Sequence, residues 1–349
     1  MNAEEQMKAL VLHGAHDLRV EDRPKPKAGP GQVLVRVRAV GVCGSDVHYY
    51  SHGRIGNQAM GGPQIPGHEG AGEVAGLGEG VTGLAVGQRV AVEPAHSCGH
   101  CEWCLTGRPN LCPKVKFLST PPVDGVMCEF AVLEASQCFP VPDSLSLAEA
   151  AMLEPFQVSV HAANLVGMRP GETVAVVGAG AIGLGCLQVA RAGGAARVIV
   201  TDRLDYRLAI AKRLGADATI HVEKEDPAEA MNRLTDGHGA DLVFECTNRA
   251  AGVVQAIQVA AIGARVACAG IAEEDTIPVD PHEARRKELS LVFVRRSRGT
   301  MRQALALVAS GRADIASFVT HRFDLEHAAE GFELMEKYED GVIKALIEP

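Results

Sequence analysis

The sequence predicts a two-part α/β protein, a β-rich first half followed by a doubly wound parallel sheet. Three observations carry this. The length of 349 residues exceeds what one hydrophobic core usually supports. Before residue 154 the apolar runs are short, some alternate at period two, and Pro and Gly break them, the pattern of antiparallel strands and turns. After it, β-branched runs alternate with helical stretches, as parallel strands joined by crossover helices require.

In chain order, strands are predicted at 8–13, 18–21, 33–40, 70–76 and 89–92. The run 33–40 alternates apolar and basic residues, and Pro24, Pro26, Pro30 and Gly31 punctuate the turns before it. Further strands are predicted at 173–177, 197–201, 218–220, 242–245, 264–269 and 289–292, with helices between them. From Arg296 onward come a helix at 301–310, a short segment at 318–323 and a helix at 325–339. There is no internal repeat and no low-complexity tract.

Composition narrows the function classes. The chain is 47% hydrophobic and carries a net charge of −9, so its cores can be large and a nucleic-acid surface is not expected. The opening residues Met1 to Gln6 are acidic and polar, unlike a secretory signal. The longest apolar stretch, 174–190, is broken by glycines and followed by Arg191, so no membrane span is expected. Of the 10 cysteines, four crowd into one short window and the rest are scattered, which fits metal binding in a reducing compartment better than disulfides. These features together predict a soluble, cytoplasmic protein.

The most informative stretch runs from Glu172 to Asp202. A buried-type strand at 173–177 leads into Gly178-Ala179-Gly180-Ala181-Ile182-Gly183, and a helical stretch follows. The first glycine permits a tight turn, the second lets backbone approach a pyrophosphate, and the third lets helix pack closely on strand. Free N–H groups at the helix N-terminus then face the phosphates. A second strand ends in Asp202, about twenty residues on, where a carboxylate accepts hydrogen bonds from the adenosine ribose. Such an acid favours NAD over NADP, because it repels a 2′-phosphate, although Arg203 beside it works the other way.

Cys98-x2-Cys101-x2-Cys104-x7-Cys112 is a second signature. Four thiolates at this spacing can wrap one tetrahedral Zn²⁺ at about 2.3 Å and leave no open position, the property of a structural site. His96 and His100 are interleaved and not needed. More dispersed are Cys43 in G-V-C-G-S-D-V-H-Y-Y, the pair His68 and Glu69 in P-G-H-E-G-A-G-E-V, and Glu154 in M-L-E-P-F. Singly, each reads as ordinary core or loop polarity.

Together, however, these residues resemble the catalytic zinc ligands of the zinc-dependent medium-chain dehydrogenases. The chain is most similar to the sorbitol, xylitol and related polyol dehydrogenase branch. The resemblance extends over H-G-R-I-G, T-P-P-V-D-G, E-P-F-Q-V-S-V-H-A, L-G-A-D-A, E-C-T and V-T-H-R-F, almost the whole chain. It implies a GroES-like β-rich catalytic domain at 1–155, completed by 296–349, and a Rossmann NAD-binding domain at 156–295. It implies two zincs per chain. One is held by Cys98, Cys101, Cys104 and Cys112, and the other by Cys43, His68 and a carboxylate, either Glu69 or Glu154, with an open fourth position. Zinc there would make an alcohol proton acidic, and nicotinamide would take the hydride.

The same resemblance assigns Ser45 and His48 to a proton relay, and Tyr49, Phe117 and Arg296 to substrate contacts. It places Gly178, Gly180, Ile182, Gly183, Asp202, Arg207, Ala269, Gly270, Ile271, Val294 and Arg296 against NAD. The chain departs from the family at Val294-Arg295-Arg296-Ser297-Arg298, where a tyrosine is expected at 297 and two extra positive charges stand. The implied activity is oxidation of a secondary hydroxyl of a polyol to a ketose. Alternatives are a threonine-type or simple secondary alcohol dehydrogenase, a sugar-acid dehydrogenase, or a non-catalytic zinc- and nucleotide-binding relative. A homo-oligomer is expected, a tetramer or dimer, with 289–294 as a sheet edge available for pairing.

Overall fold

The computed structural model describes residues 5–349, so the reading of residues 1–4 lies outside the described residues. Two compact units are present: residues up to Glu154 together with Ile315–Pro349, and Pro155–Asp314. The division falls inside the helix Leu147–Leu165, at Pro155, a residue that has no N–H to give to the helix ladder. The chain returns to the first unit at Ile315, and the segment from Arg296 to Asp314 stays with the second. The reason is local bonding of the segment between. Thr300 Oγ1 donates to the Gln157 carbonyl at 2.8 Å, and Asn164 Nδ2 donates to Gln303 Oε1 at 2.7 Å, so the helix Met301–Ala309 is held by the second unit.

In the first unit a seven-stranded sheet runs in the order Cys138–Pro140, Arg89–Val92, Glu69–Leu77, Gln32–Gly41, Lys344–Glu348 and Val319–Asp324, with Phe130–Glu134 also paired to Gln32–Gly41. Gln32–Gly41 is its hub. Val33, Val35 and Val37 point into the core at period two. A register shift between Val37 and Ala39 then breaks the alternation, and Ala39, Val40 and Gly41 are all buried. Gly41 consequently lies opposite Glu69 on one side and Leu346 on the other. Val319–Asp324 and Lys344–Glu348 are parallel, joined by the helix Ala328–Lys337, so the C-terminus adds a βαβ crossover to an otherwise antiparallel sheet.

In the second unit six strands, all parallel, stand in the order Ala218–His221, Arg197–Asp202, Thr173–Val177, Ala240–Glu245, Ala260–Cys268 and Ser290–Phe293. Numbered along the chain this is 3-2-1-4-5-6, the order of the doubly wound dinucleotide fold, with its switch point between Thr173–Val177 and Ala240–Glu245. Val174, Ala175, Val176, Val198, Ile199 and Val200 are fully buried, as strands covered on both faces must be. Ser290–Phe293 is an outer strand, as is Ala218–His221 at the other edge, and Phe293 is 65% exposed.

The predicted α/β class and the order of elements are observed, while several elements were not anticipated. The stretch after Cys43, for which no element was predicted, is the helix Gly44–His52. Phe130–Glu134, Cys138–Pro140 and Lys344–Glu348 are strands that short apolar runs alone did not distinguish from other buried segments.

Candidate functional site

In the first unit Cys43, His68 and Glu69 come together with their ligand atoms all within 4.8 Å of one another. Three local devices bring this about. Cys43 is the N-cap of the helix Gly44–His52, and its backbone N donates to Asp46 Oδ2 at 3.3 Å, closing a capping box. Gly67, at φ +91, turns the chain beside Met127, where any side chain would collide, and so aims His68 into the site. Gly41 makes room for Glu69: a Cβ at Gly41 would stand 2.1 Å from Glu69 Oε2.

The electrostatics are those of a buried charge cluster. Lys344, 4% exposed, donates from Nζ to Glu69 Oε1 at 2.8 Å and to the Val42 carbonyl at 3.0 Å. Burial lowers its affinity for a proton, but the Glu69 carboxylate outweighs this and the ammonium is held above its ordinary range. Glu69 Oε2, in contrast, is buried without a hydrogen-bond partner. Asp46 is fully buried too. Its Oδ1 accepts from Ser119 Oγ at 2.5 Å and Gly67 N at 3.3 Å, and its Oδ2 stands 3.5 Å from His68 Nδ1. Burial would raise Asp46, yet the His68 imidazole, Ser119 and Gly67 keep it below the usual carboxylate value. Burial likewise opposes protonation of His68, but Asp46 and Cys43 raise it well above its ordinary value.

Glu154 lies outside this group of three ligand atoms. Its carboxyl is pushed up to about 8, first by burial and then by Glu69 and Glu93, with His68 and Lys344 acting in the opposite direction. Among the remaining expected residues, Ser45, His48 and Tyr49 lie on the helix Gly44–His52 that Cys43 caps. Ser45 and Tyr49, and Ser45 and His48, are spaced to share a helix face. The Phe117 ring centroid is 5.3 Å from that of His68. Phe117 is placed by pairing with Ala95 across a short ladder.

Cys98, Cys101, Cys104 and Cys112 form a second group, their sulfurs all within 4.8 Å of one another. Cys101 caps the short helix Glu102–Leu105, which carries Cys104, while the turn Pro109–Leu111 delivers Cys112. Cys101 Sγ and Cys104 Sγ are 3.5 Å apart. His100 is turned away, its Nδ1 2.6 Å from the Cys98 carbonyl. Both donor sets suit zinc: four thiolates in one group, thiolate, imidazole and carboxylate in the other.

In the second unit the glycine turn follows the strand Thr173–Val177. Gly178 has φ +92, and a Cβ at Gly183 would sit 1.8 Å from the Gly178 carbonyl oxygen, so the turn admits glycine at both places. Gly180 caps the helix Ala181–Ala192. The Ile182 carbonyl accepts from Ser159 Oγ at 3.0 Å. Asp202 ends the next strand. Its Oδ2 accepts from Ala179 N at 2.7 Å, its Oδ1 from Leu204 N at 3.0 Å, and Arg207 Nη1 is 4.0 Å away. Ala269, Gly270 and Ile271 follow the strand Ala260–Cys268, and Val294 N donates to the Cys268 carbonyl at 2.8 Å. Arg296 is held at φ +56, a conformation uncommon for a bulky residue.

Comparison with known proteins decides the family. Residues 29–143 match the alcohol dehydrogenase GroES-like domain, and residues 181–310 match the zinc-binding dehydrogenase family. The chain belongs to the zinc-dependent medium-chain dehydrogenases. This dehydrogenase is 38% identical to the sorbitol dehydrogenase of Bacillus subtilis (strain 168), covering 99% of this chain and 98% of that one. It is also similar to a solved alcohol dehydrogenase from E. coli CFT073 complexed with NADH, with 31% identity, TM-score 0.90, and 99% and 100% of the two chains covered. A third relative, the 2R,3R-butanediol dehydrogenase of Bacillus subtilis, has 31% identity and TM-score 0.88 over 98% and 99% of the chains. No helix among the described residues of the dehydrogenase is long and apolar enough to cross a membrane.

Sequence reasoning missed Asp46, Ser119 and Lys344. Asp46 had a usable signal, since an acid three residues after a helix-capping Cys43 is an N3 position. Lys344 had a weaker one, a lone lysine within the apolar run G-V-I-K-A-L-I.

Proposed function

We propose that this dehydrogenase oxidises a secondary hydroxyl of a polyol to the ketone, with zinc as the catalytic metal and NAD as hydride acceptor. The observation that carries the reading is Glu69. One carboxylate oxygen is taken by Lys344, the other is buried and unpartnered, and the carboxylate groups with Cys43 Sγ and the His68 imidazole within 4.8 Å. A buried carboxylate with one unsatisfied oxygen, grouped with a thiolate and an imidazole, suits a metal. A bound zinc would supply a positive centre that favours loss of the alcohol proton. Asp46 beside Nδ1 orients His68 and leaves Nε2 for the metal. Glu154, protonated up to about 8, is proposed as a proton-holding neighbour and not as a ligand. Ser45 and His48 are proposed to pass the proton outward, and Tyr49 and Phe117 to shape the apolar side of the substrate. Cys98, Cys101, Cys104 and Cys112 are proposed to hold the structural zinc, because four thiolates leave no position for substrate.

For NAD the support is the complete strand, glycine turn, helix and acid sequence in the 3-2-1-4-5-6 sheet, and Asp202 at the end of the second strand is proposed to take the ribose hydroxyls and to repel a 2′-phosphate. Gly178, Gly180, Ile182, Gly183, Arg207, 269–271, Val294 and Arg296 complete the proposed cofactor contacts. Similarity to sorbitol dehydrogenases supports the polyol branch. Arg295, Arg296 and Arg298, together with Ser297 in place of the family's tyrosine, favour a second reading, a sugar acid whose carboxylate an arginine fork would grip. Ten unpaired thiols support a reducing cytoplasmic address, and the exposed edge Ser290–Phe293 supports a homo-oligomer.

The test compares kcat/KM with NAD and NADP for a polyol, its monodeoxy analogue lacking the vicinal hydroxyl, the matching sugar acid, threonine and a simple secondary alcohol. The polyol with NAD should lead. Equal rates on polyol and simple alcohol would overturn the substrate, and preference for NADP would overturn the role of Asp202.

A further inference from the structure

Glu245 is a buried acid that neither the metal site nor the glycine turn uses. It ends the strand Ala240–Glu245 beside the switch point and is 2% exposed. Its Oε1 accepts two hydrogen bonds from one residue, Thr247 N at 2.7 Å and Thr247 Oγ1 at 2.6 Å. Two glycines are cut away to admit this pair. A Cβ at Gly252 would stand 2.0 Å from Thr247 Oγ1 and 2.6 Å from Glu245 Oε1, and one at Gly270 would stand 1.9 Å from the Thr247 carbonyl and 2.8 Å from Glu245 Oε2. Thr247 in turn presses its methyl toward the first glycine of the nucleotide turn, where a Cβ at Gly178 would be 2.9 Å from Thr247 Cγ2. Further carboxylates tie the same two turns together. Asn248 Nδ2 donates to Glu273 Oε1 at 2.5 Å, and Ala250 N to Glu274 Oε2 at 2.9 Å.

We propose that Glu245 is a positioning residue for the dinucleotide: by clamping Thr247 it fixes the turn after the fourth strand against Gly178 and Gly270, and so sets the width of the crevice at the switch point. The proposal rests on the reading of this unit as the NAD domain. Its physical basis is that a ligand at the carboxyl ends of parallel strands is gripped by the turns on both sides of the switch point. A turn whose hydrogen bonds point inward to a buried carboxyl is ordered before the ligand arrives, which removes part of the ordering cost of binding. Burial raises the Glu245 carboxyl above its ordinary value, the condition under which a carboxyl is kept as a hydrogen-bonding fixture in a dry site.

The experiment uses the full chain with Glu245→Ala, Glu245→Gln and, as a packing control in the same unit, Val259→Ala. NADH binding is titrated by fluorescence, kcat is measured at saturating NAD, and amide exchange is read on the NAD-free protein. Glu245→Ala should raise the NADH Kd about tenfold, the equivalent of one or two lost hydrogen bonds. It should leave kcat at saturation near that of the unmutated enzyme. Its Thr247 amide should exchange faster while the Cys246 amide, bonded to the Val177 carbonyl at 2.8 Å, stays protected. Glu245→Gln keeps an acceptor for Thr247 and should restore most of the affinity. An unchanged Kd in Glu245→Ala, or an equal rise in Val259→Ala, overturns the proposal alone. Unmutated protein that does not bind NADH overturns the cofactor reading beneath it.

Discussion

Replacing Lys344 by methionine keeps most of the side-chain volume and removes the charge that neutralises Glu69. The two groups are 4% and 1% exposed, Lys344 Nζ is 2.8 Å from Glu69 Oε1, and no hydrogen bond reaches Glu69 Oε2. Removing one partner of a buried ion pair costs roughly 3–5 kcal/mol, because the other charge stays behind without compensation. At roughly 2–4 °C per kcal/mol for a unit of this size, the metal-free protein should melt roughly 6–20 °C lower. With zinc in excess the loss should shrink, since a cation held by Cys43, His68 and Glu69 compensates the carboxylate in place of the ammonium. Scanning calorimetry with chelator and with zinc measures both numbers. Adding Glu69→Gln to Lys344→Met should recover stability in the metal-free protein, since no stranded charge remains. A Lys344→Met protein that melts at the unmutated temperature in chelator, or a double variant whose loss is the sum of the two single losses, would refute the reasoning.

Other expectations follow from the same geometry. Glu154 holds its proton up to about 8 when folded, against an ordinary value of 4.5, so the stability it contributes is complete below 4.5 and is lost as pH rises through about 8. Glu154→Gln should flatten that fall in the Tm of the metal-free protein between these pH values, and an unaltered slope counts against it. Gly183→Ala drives a methyl to 1.8 Å from the Gly178 carbonyl, so NADH binding should be lost while far-ultraviolet circular dichroism is largely retained; an unchanged Kd would show that the turn can yield. Cys101→Ser should reduce the metal content from two zincs per chain to one and lower Tm, while the folded fraction still transfers hydride. Elemental analysis finding one zinc in the unmutated protein contradicts the two-site reading.

What the sequence determined by itself is what short spans of chain can hold. Glu172 to Asp202 contains the strand, turn, helix and acid of the nucleotide unit in order, because tight turns and close strand–helix contact restrict residue type locally. The four cysteines from Cys98 to Cys112 are likewise legible, since a loop of that length can close on one point without help from the rest of the fold. The alternation in 33–40 located the hub strand, although not the register shift that buries its end. Only the tertiary structure brought Lys344 to Glu69, across 275 positions of sequence, by pairing Leu346 and Glu69 to either side of Gly41. It alone set Asp46 beside His68 and folded the segment from Arg296 to Asp314 with the second unit. Glu245 had looked like one more strand residue. These choices depend on strand register and on which buried charge finds which counter-charge, and both are settled by packing between segments whose spacing along the chain carries no trace of their meeting.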